Sequence, residues 1–216
     1  MMRTRVKFCG FTRETDVQAA VTLGVDALGF VFYDKSPRYV SPEVVGQLIQ
    51  TVPAFISTVG LFVNASIESI QRTLNIVPIT ALQLHGDESW HFAIEARAAL
   101  QKPVIKAVRV NDATDWDEVV RYADHVAGVL LDADAVGYGG AGHVFDWKVI
   151  PSVLRSKIIL SGGLRVENIA EAVSSVQPYA MDVSSGIEDG VKGIMHFDKM
   201  QAFMRTVTHA DQLQVL

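Results

Sequence analysis

Side chains able to move protons stand where short apolar runs end. The only cysteine, Cys9, closes the run from Arg5, and Asp132 closes Val129-Leu130-Leu131. Two later runs end in glycine and serine: Ser161-Gly162-Gly163-Leu164 follows Ile158 to Leu160, and Asp182-Val183-Ser184-Ser185-Gly186 follows Tyr179 to Met181. A thiolate and a carboxylic acid can serve as base and acid at two atoms of one small molecule. Adjacent glycines let backbone N–H groups approach an anion because no Cβ intervenes, and serine hydroxyls add donors. Either turn alone reads as an ordinary strand-to-helix turn, where Gly and Ser are common. Both together, at the ends of consecutive strands, point to one phosphate held by Gly162, Gly163, Ser184 and Ser185. Ser185 with Glu188 reads as a capping box, which would set a helix N-terminus at the same place.

Position decides how the other polar residues read. A lone cysteine is often a small buried hydrophobe. Cys9 differs in ending a strand beside Gly10, with Lys7 two residues back on the same side. Lys7 is expected to depress the thiol from its usual value of about 8.5, so Cys9 should alkylate faster than a free thiol. Asp132 has no helix to cap, because the glycine-rich stretch Gly137 to Gly142 comes next, and that stretch is a plain connection or a lid; Asp134 reads as solvated. Lys7 and Lys106 interrupt apolar strands and need partners, Asp182 being a candidate; a Schiff-base role for Lys106 has no other support. Arg38, in Lys35-Ser36-Pro37-Arg38-Tyr39, is either a solvated loop charge or a clamp on a substrate carboxylate. Gln83 and His85 end the fourth apolar run, where His85 is a polar plug or, with Gln83 and Asp182, a substrate contact.

The elements that would position these groups alternate along the whole chain. Strands are expected at Arg5 to Cys9, Ala27 to Phe32, Thr58 to Val63, Thr80 to His85, Val104 to Val108, Ala127 to Asp132, Lys157 to Leu160 and Tyr179 to Val183. Helices are expected between them, starting from Thr12 as a cap, from Ser41-Pro42-Glu43 with Pro at the first helical position, and from Trp147 to Val153 as a short sixth helix. Phe197 to Val207 forms the last helix and 208–216 a frayed tail. Continuous apolar strands belong to a parallel sheet covered on its outside. Eight strand-helix units predict a single (β/α)8 barrel, one domain over residues 1–216. A doubly wound open sheet is the alternative, but Cys9-Gly10-Phe11-Thr12 lacks its glycine fingerprint. In a barrel, Cys9 and Asp132 would roughly face each other across the C-terminal mouth.

The 216 residues suffice for one sizeable core, and 49% apolar with 20% charged residues is an ordinary globular composition. A net charge of -5 argues against nucleic acid as the main partner. No signal peptide or membrane span is expected, and one cysteine fits a reducing cytoplasm. With no Cys or His cluster at ligand spacing, no metal site is expected.

The ordered set of motifs resembles the phosphoribosylanthranilate isomerase family of tryptophan biosynthesis. It comprises Lys7-Phe8-Cys9-Gly10-Phe11-Thr12, Gly29 to Tyr33, Lys35 to Arg38, Val59 to Asn64, Leu82-Gln83-Leu84-His85-Gly86 and Leu130-Leu131-Asp132. Gly139-Gly140-Ala141-Gly142 before Phe145-Asp146-Trp147, then Leu160 to Leu164 and Asp182 to Gly186, complete it. Met195-His196 stands where the family usually carries a Lys-Asp pair. The resemblance implies a barrel enzyme without a cofactor, a monomer or homodimer, acting on a small phosphosugar by an Amadori rearrangement. It implies Cys9 as general base, Asp132 as general acid, the Gly162-Gly163 and Ser184-Ser185 turns on the phosphate, and Arg38 near the anthranilate carboxylate. A related isomerase of histidine biosynthesis uses two aspartates, against which Cys9 argues. Indole-glycerol-phosphate synthase uses a lysine with glutamates at strand ends, and no such glutamates are expected here. A phosphate-ligand sensor would not need a facing acid and base.

Overall fold

Strands whose two faces are both apolar cannot border on water, and here they avoid an edge by closing on themselves. The computed structural model describes residues 3–133 and 144–214; Asp134 and the Gly137 to Gly142 stretch lie outside them. The strands are β1 (Arg5–Cys9), β2 (Ala27–Val31), β3 (Ser57–Phe62), β4 (Ala81–Leu84), β5 (Val104–Val110), β6 (Gly128–Ala133), β7 (Ile158–Leu160) and β8 (Ala180–Val183). All pair in parallel and in chain order, and β8 returns to β1 to close the barrel, with Lys7 opposite Asp182 in register.

Alternation along each strand separates two cores. Val59, Ile105, Ala107, Leu130, Ile159 and Ala180 fill the barrel. Outward neighbours pack under the helices: Phe8 of β1 meets Phe203 edge to face at 5.8 Å. The helices are α1 (Glu14–Thr22), α2 (Pro42–Leu48), α3 (Ile67–Ile76), α4 (Trp90–Leu100), α5 (Trp116–Tyr122), α6 (Val166–Val176) and α7 (Phe197–Leu213). Ser41, Ser66, Ser89 and Asp115 each accept a bond from a first-turn N–H of α2, α3, α4 and α5.

Three expectations are corrected. Thr12 does not cap α1: Arg13 is the cap residue, without a side-chain capping bond, and the Thr12 hydroxyl donates to the Gly193 carbonyl at 2.6 Å. The sixth unit has no α-helix among the described residues, only 3₁₀ turns at Trp147–Val149 and Ser152–Lys157, where Pro151 interrupts any continuous run. The chain does not fray from residue 208: α7 continues to Leu213, because Asp211 accepts from both the backbone N–H and the hydroxyl of Thr4, each at 2.7 Å.

Candidate active site

The inward positions at the strand ends meet around one open cavity. Cys9 from β1, Arg38 from the loop after β2, Gln83 and His85 from β4 and its end, Asp132 from β6 and Asp182 from β8 all line it. So do the Gly162-Gly163 and Ser184-Ser185 turns. All the sequence-predicted site residues thus border one space.

Cys9 sits over the glycine of the next strand: a Cβ on Gly29 would come within 2.6 Å of its sulfur. Below it, Lys7 Nζ donates to Asp182 Oδ1 at 2.7 Å. Burial pushes the Cys9 thiol up from its ordinary value; Lys7 pulls it back, and the Asp182 carboxylate adds to the rise. The expected depression of the thiol is therefore wrong in sign. For the Lys7 ammonium, burial works downward, but Asp182 and Cys9 outweigh it and hold it above its usual value.

Asp132 is joined to β4. His85 Nε2 lies 3.1 Å from Asp132 Oδ2, and Gln83 Nε2 lies 2.9 Å from His85 Nδ1. The other carboxylate oxygen faces the turn after β7, where a Cβ on Gly162 would stand 2.8 Å from Oδ1.

The two glycines of that turn have φ of +81° and +63°, conformations that side chains with a Cβ rarely adopt. Asn168, in the first turn of α6, accepts from the Arg165 N–H at 2.9 Å and donates to the Gly163 carbonyl at 3.0 Å, which ties the turn to the helix. After β8 the chain makes a 3₁₀ turn at Ser185–Ile187, and the Ser184 hydroxyl is buried with no partner among the described residues. Glycine turn, helix start and unpartnered hydroxyl together suit an anion.

The capping box expected of Ser185 and Glu188 does not form. Glu188 turns to Arg38 instead, accepting from Nε at 2.6 Å and Nη2 at 2.9 Å, and from the Gly193 N–H at 2.8 Å. Arg38 is thus a buried, bidentate-held group rather than a solvated loop charge. Glu188 is the site residue that sequence reasoning missed as a partner of Arg38; 150 residues separate the two.

Lys106 of β5 also finds a carboxylate, Glu88 of the loop after β4 at 3.7 Å, so a lysine and a glutamate do stand together. Glu88 accepts from the Asn64 N–H at 2.7 Å and the Gly86 N–H at 2.8 Å, and Lys106 donates to the Ala107 carbonyl at 2.7 Å, which makes the group a structural knot. Burial lowers the Lys106 ammonium, and Glu88 opposes that shift. Among the described residues, no group of three or more His, Cys, Asp or Glu is placed to hold a metal ion, and no helix is long and apolar enough to cross a membrane.

Comparison with known proteins agrees with this fold. Residues 6–206 match the family model for N-(5'-phosphoribosyl)anthranilate (PRA) isomerase. The N-(5'-phosphoribosyl)anthranilate isomerase of Dechloromonas aromatica is 46% identical over 211 residues, which cover 98% of this chain and 99% of that one. Phosphoribosyl anthranilate isomerase from Thermotoga maritima superposes with a TM-score of 0.84 at 37% identity, over 95% of this chain and 99% of that chain. A phosphoribosyl anthranilate isomerase crystallised with reduced 1-(o-carboxyphenylamino)-1-deoxyribulose 5-phosphate superposes with a TM-score of 0.82 at 36% identity, over 95% and 99% of the two chains. With the family match running from the first strand into the last helix of a closed eight-stranded barrel, the chain belongs to the N-(5'-phosphoribosyl)anthranilate isomerase family.

Proposed function

We propose that the protein catalyses the Amadori rearrangement of N-(5-phosphoribosyl)anthranilate to 1-(2-carboxyphenylamino)-1-deoxyribulose 5-phosphate, an aldose-ketose isomerisation in tryptophan biosynthesis. The observation that carries the reading is the shared cavity: Cys9, Asp132 and both anion-suited turns line it. The phosphate rests on the Gly162-Gly163 and Ser184-Ser185 turns, and Arg38, fixed by Glu188, meets the anthranilate carboxylate. The sugar then lies between Cys9 and Asp132.

Asp132 gives its proton to the furanose ring oxygen as the C1–O bond breaks, and nitrogen lone-pair donation leaves an iminium at C1. Cys9 removes the C2 proton, and the C–H electron pair neutralises the iminium as an enolamine. Gain of a proton at C1 and loss of one from the C2 hydroxyl give the ketone. The C2 proton becomes acidic only once the iminium has formed, and a thiol that burial raises accords with that order. Cys9 is a poor base until the iminium cation forms beside it, which both acidifies C2 and favours the thiolate. Ring opening therefore comes first.

Incubation with N-(5-phosphoribosyl)anthranilate tests the reading, with substrate and product resolved by chromatography. Conversion is expected for the wild type and loss of conversion for Asp132→Asn. Tight phosphosugar binding without conversion would identify a sensor instead.

A further inference from the structure

The Gln83–His85–Asp132 chain takes its orientation from the Gln83 amide as the structure places it. An amide nitrogen only donates, so at 2.9 Å from His85 Nδ1 the Gln83 Nε2 group makes that ring nitrogen the acceptor. The imidazole N–H then sits on Nε2 and donates to Asp132 Oδ2, 3.1 Å away. Gln83 is fully buried and its Oε1 has no partner among the described residues, so the bond to His85 is the polar contact this side chain makes. With Oδ2 occupied as an acceptor, the transferable proton of Asp132 is left to Oδ1. That oxygen is the one beside Gly162, on the side of the anion-suited turn.

We infer that His85 is a positioning residue for the acid and Gln83 the residue that sets its tautomer, the pair selecting which oxygen of Asp132 delivers the proton. This rests on the assignment of Asp132 as the acid. Proton transfer runs from Oδ1 to the ring oxygen as the C1–O bond breaks, and leaves a carboxylate. The Nε2–H bond to Oδ2 is then charge-assisted, hence stronger after transfer than before. An interaction that strengthens toward the transition state raises kcat and leaves KM nearly alone.

His85→Leu, His85→Gln and Gln83→Leu, compared with Asp132→Asn, test the inference. A hydrogen bond to a charged group corresponds to about 10–100-fold in rate, so kcat of His85→Leu is expected to fall by that factor with KM within about twofold. His85→Gln places an amide N–H near the former Nε2 and is expected to recover most of the loss. In wild-type protein labelled with ¹⁵N at histidine, His85 is expected to carry its N–H on Nε2, and Gln83→Leu to relax that preference. Thermal unfolding and binding of the reduced product analogue show which variants remain folded. A rise in KM at unchanged kcat, a wild-type His85 with its N–H on Nδ1, or no recovery in a folded His85→Gln would each overturn the inference. If Asp132→Asn keeps wild-type activity, the acid assignment itself fails. If Asp132→Asn is inactive while folded His85→Leu turns over normally, only the role of His85 falls.

Discussion

Lys7 and Asp182 face each other across the seam between the first and last strands, 2.7 Å apart, with side chains only 5% exposed. The pair holds the floor under Cys9. Removing one partner of a buried pair leaves the other charge uncompensated, which costs about 3–5 kcal/mol. Lys7→Met is expected to lose stability of that size in urea unfolding. The double variant Lys7→Met with Asp182→Leu is expected to regain most of it, because an apolar pair of similar volume leaves no orphan charge. A double variant as unstable as the single one would mean that the pair matters for packing alone.

Burial raises the thiol of Cys9, so the free enzyme holds it protonated near neutral pH. A base must be unprotonated to act, so turnover limited by Cys9 should rise with pH through and beyond the ordinary thiol range of about 8.5. Iodoacetamide should react with the wild type more slowly than with a free thiol at neutral pH, the reverse of what the strand-end sequence suggests. Cys9→Ser should nearly abolish kcat with little change in KM. A pH profile that is flat above neutrality would show that Cys9 does not limit the rate.

The turn after β7 admits a direct test at Gly163, whose φ of +63° Asp tolerates better than most residues. Gly163→Asp places a negative charge where the phosphate should lie. A large rise in KM is expected with an intact fold by circular dichroism. Unchanged KM at normal turnover would remove the phosphate from that turn.

Glu188 fixes two of the Arg38 donors, so Glu188→Ala should release the guanidinium from its pose. Loss of orientation at a binding group should raise KM by on the order of tenfold while kcat changes less. Inhibition by anthranilate analogues with and without the carboxylate reads the same change: discrimination between them should shrink. Equal discrimination in the variant would place the carboxylate elsewhere.

The strand order and the candidate residues at the strand ends were legible because each is announced locally, by an apolar run and the polar residue that ends it. Cys9, Asp132 and the glycine turns belong to that kind of signal. Glu188 was not legible as the partner of Arg38, because only barrel closure brings it there. Its spacing from Ser185 suggested a local cap, and the buried cation won the carboxylate. The sign of the Cys9 shift failed for a related reason: Lys7 is visible two residues away, whereas Asp182 and the depth of burial belong to the closed structure. Asn168 shows only as a polar residue in a helix, and its grip on the Gly163 carbonyl depends on how that helix enters the turn.

The seam that joins β1 to β8 also bears on how the molecule comes into being. Thr4 bonds to Asp211, Lys7 to Asp182, and the Arg5 N–H to the Tyr179 carbonyl at 3.1 Å. Thr4, Arg5 and Lys7 therefore wait for residues 179–211 before their partners exist. During synthesis from the N-terminus, β1 leaves the ribosome with Lys7 and Cys9 lacking their final surroundings, and most of the barrel can accumulate while the ring is still open. Such long-range pairing slows folding, because loop closure must precede its reward. Cys9 stands on the first strand and Ser184 just past the last, so the cavity that both line is completed late in folding, once α7 docks and locks the ring.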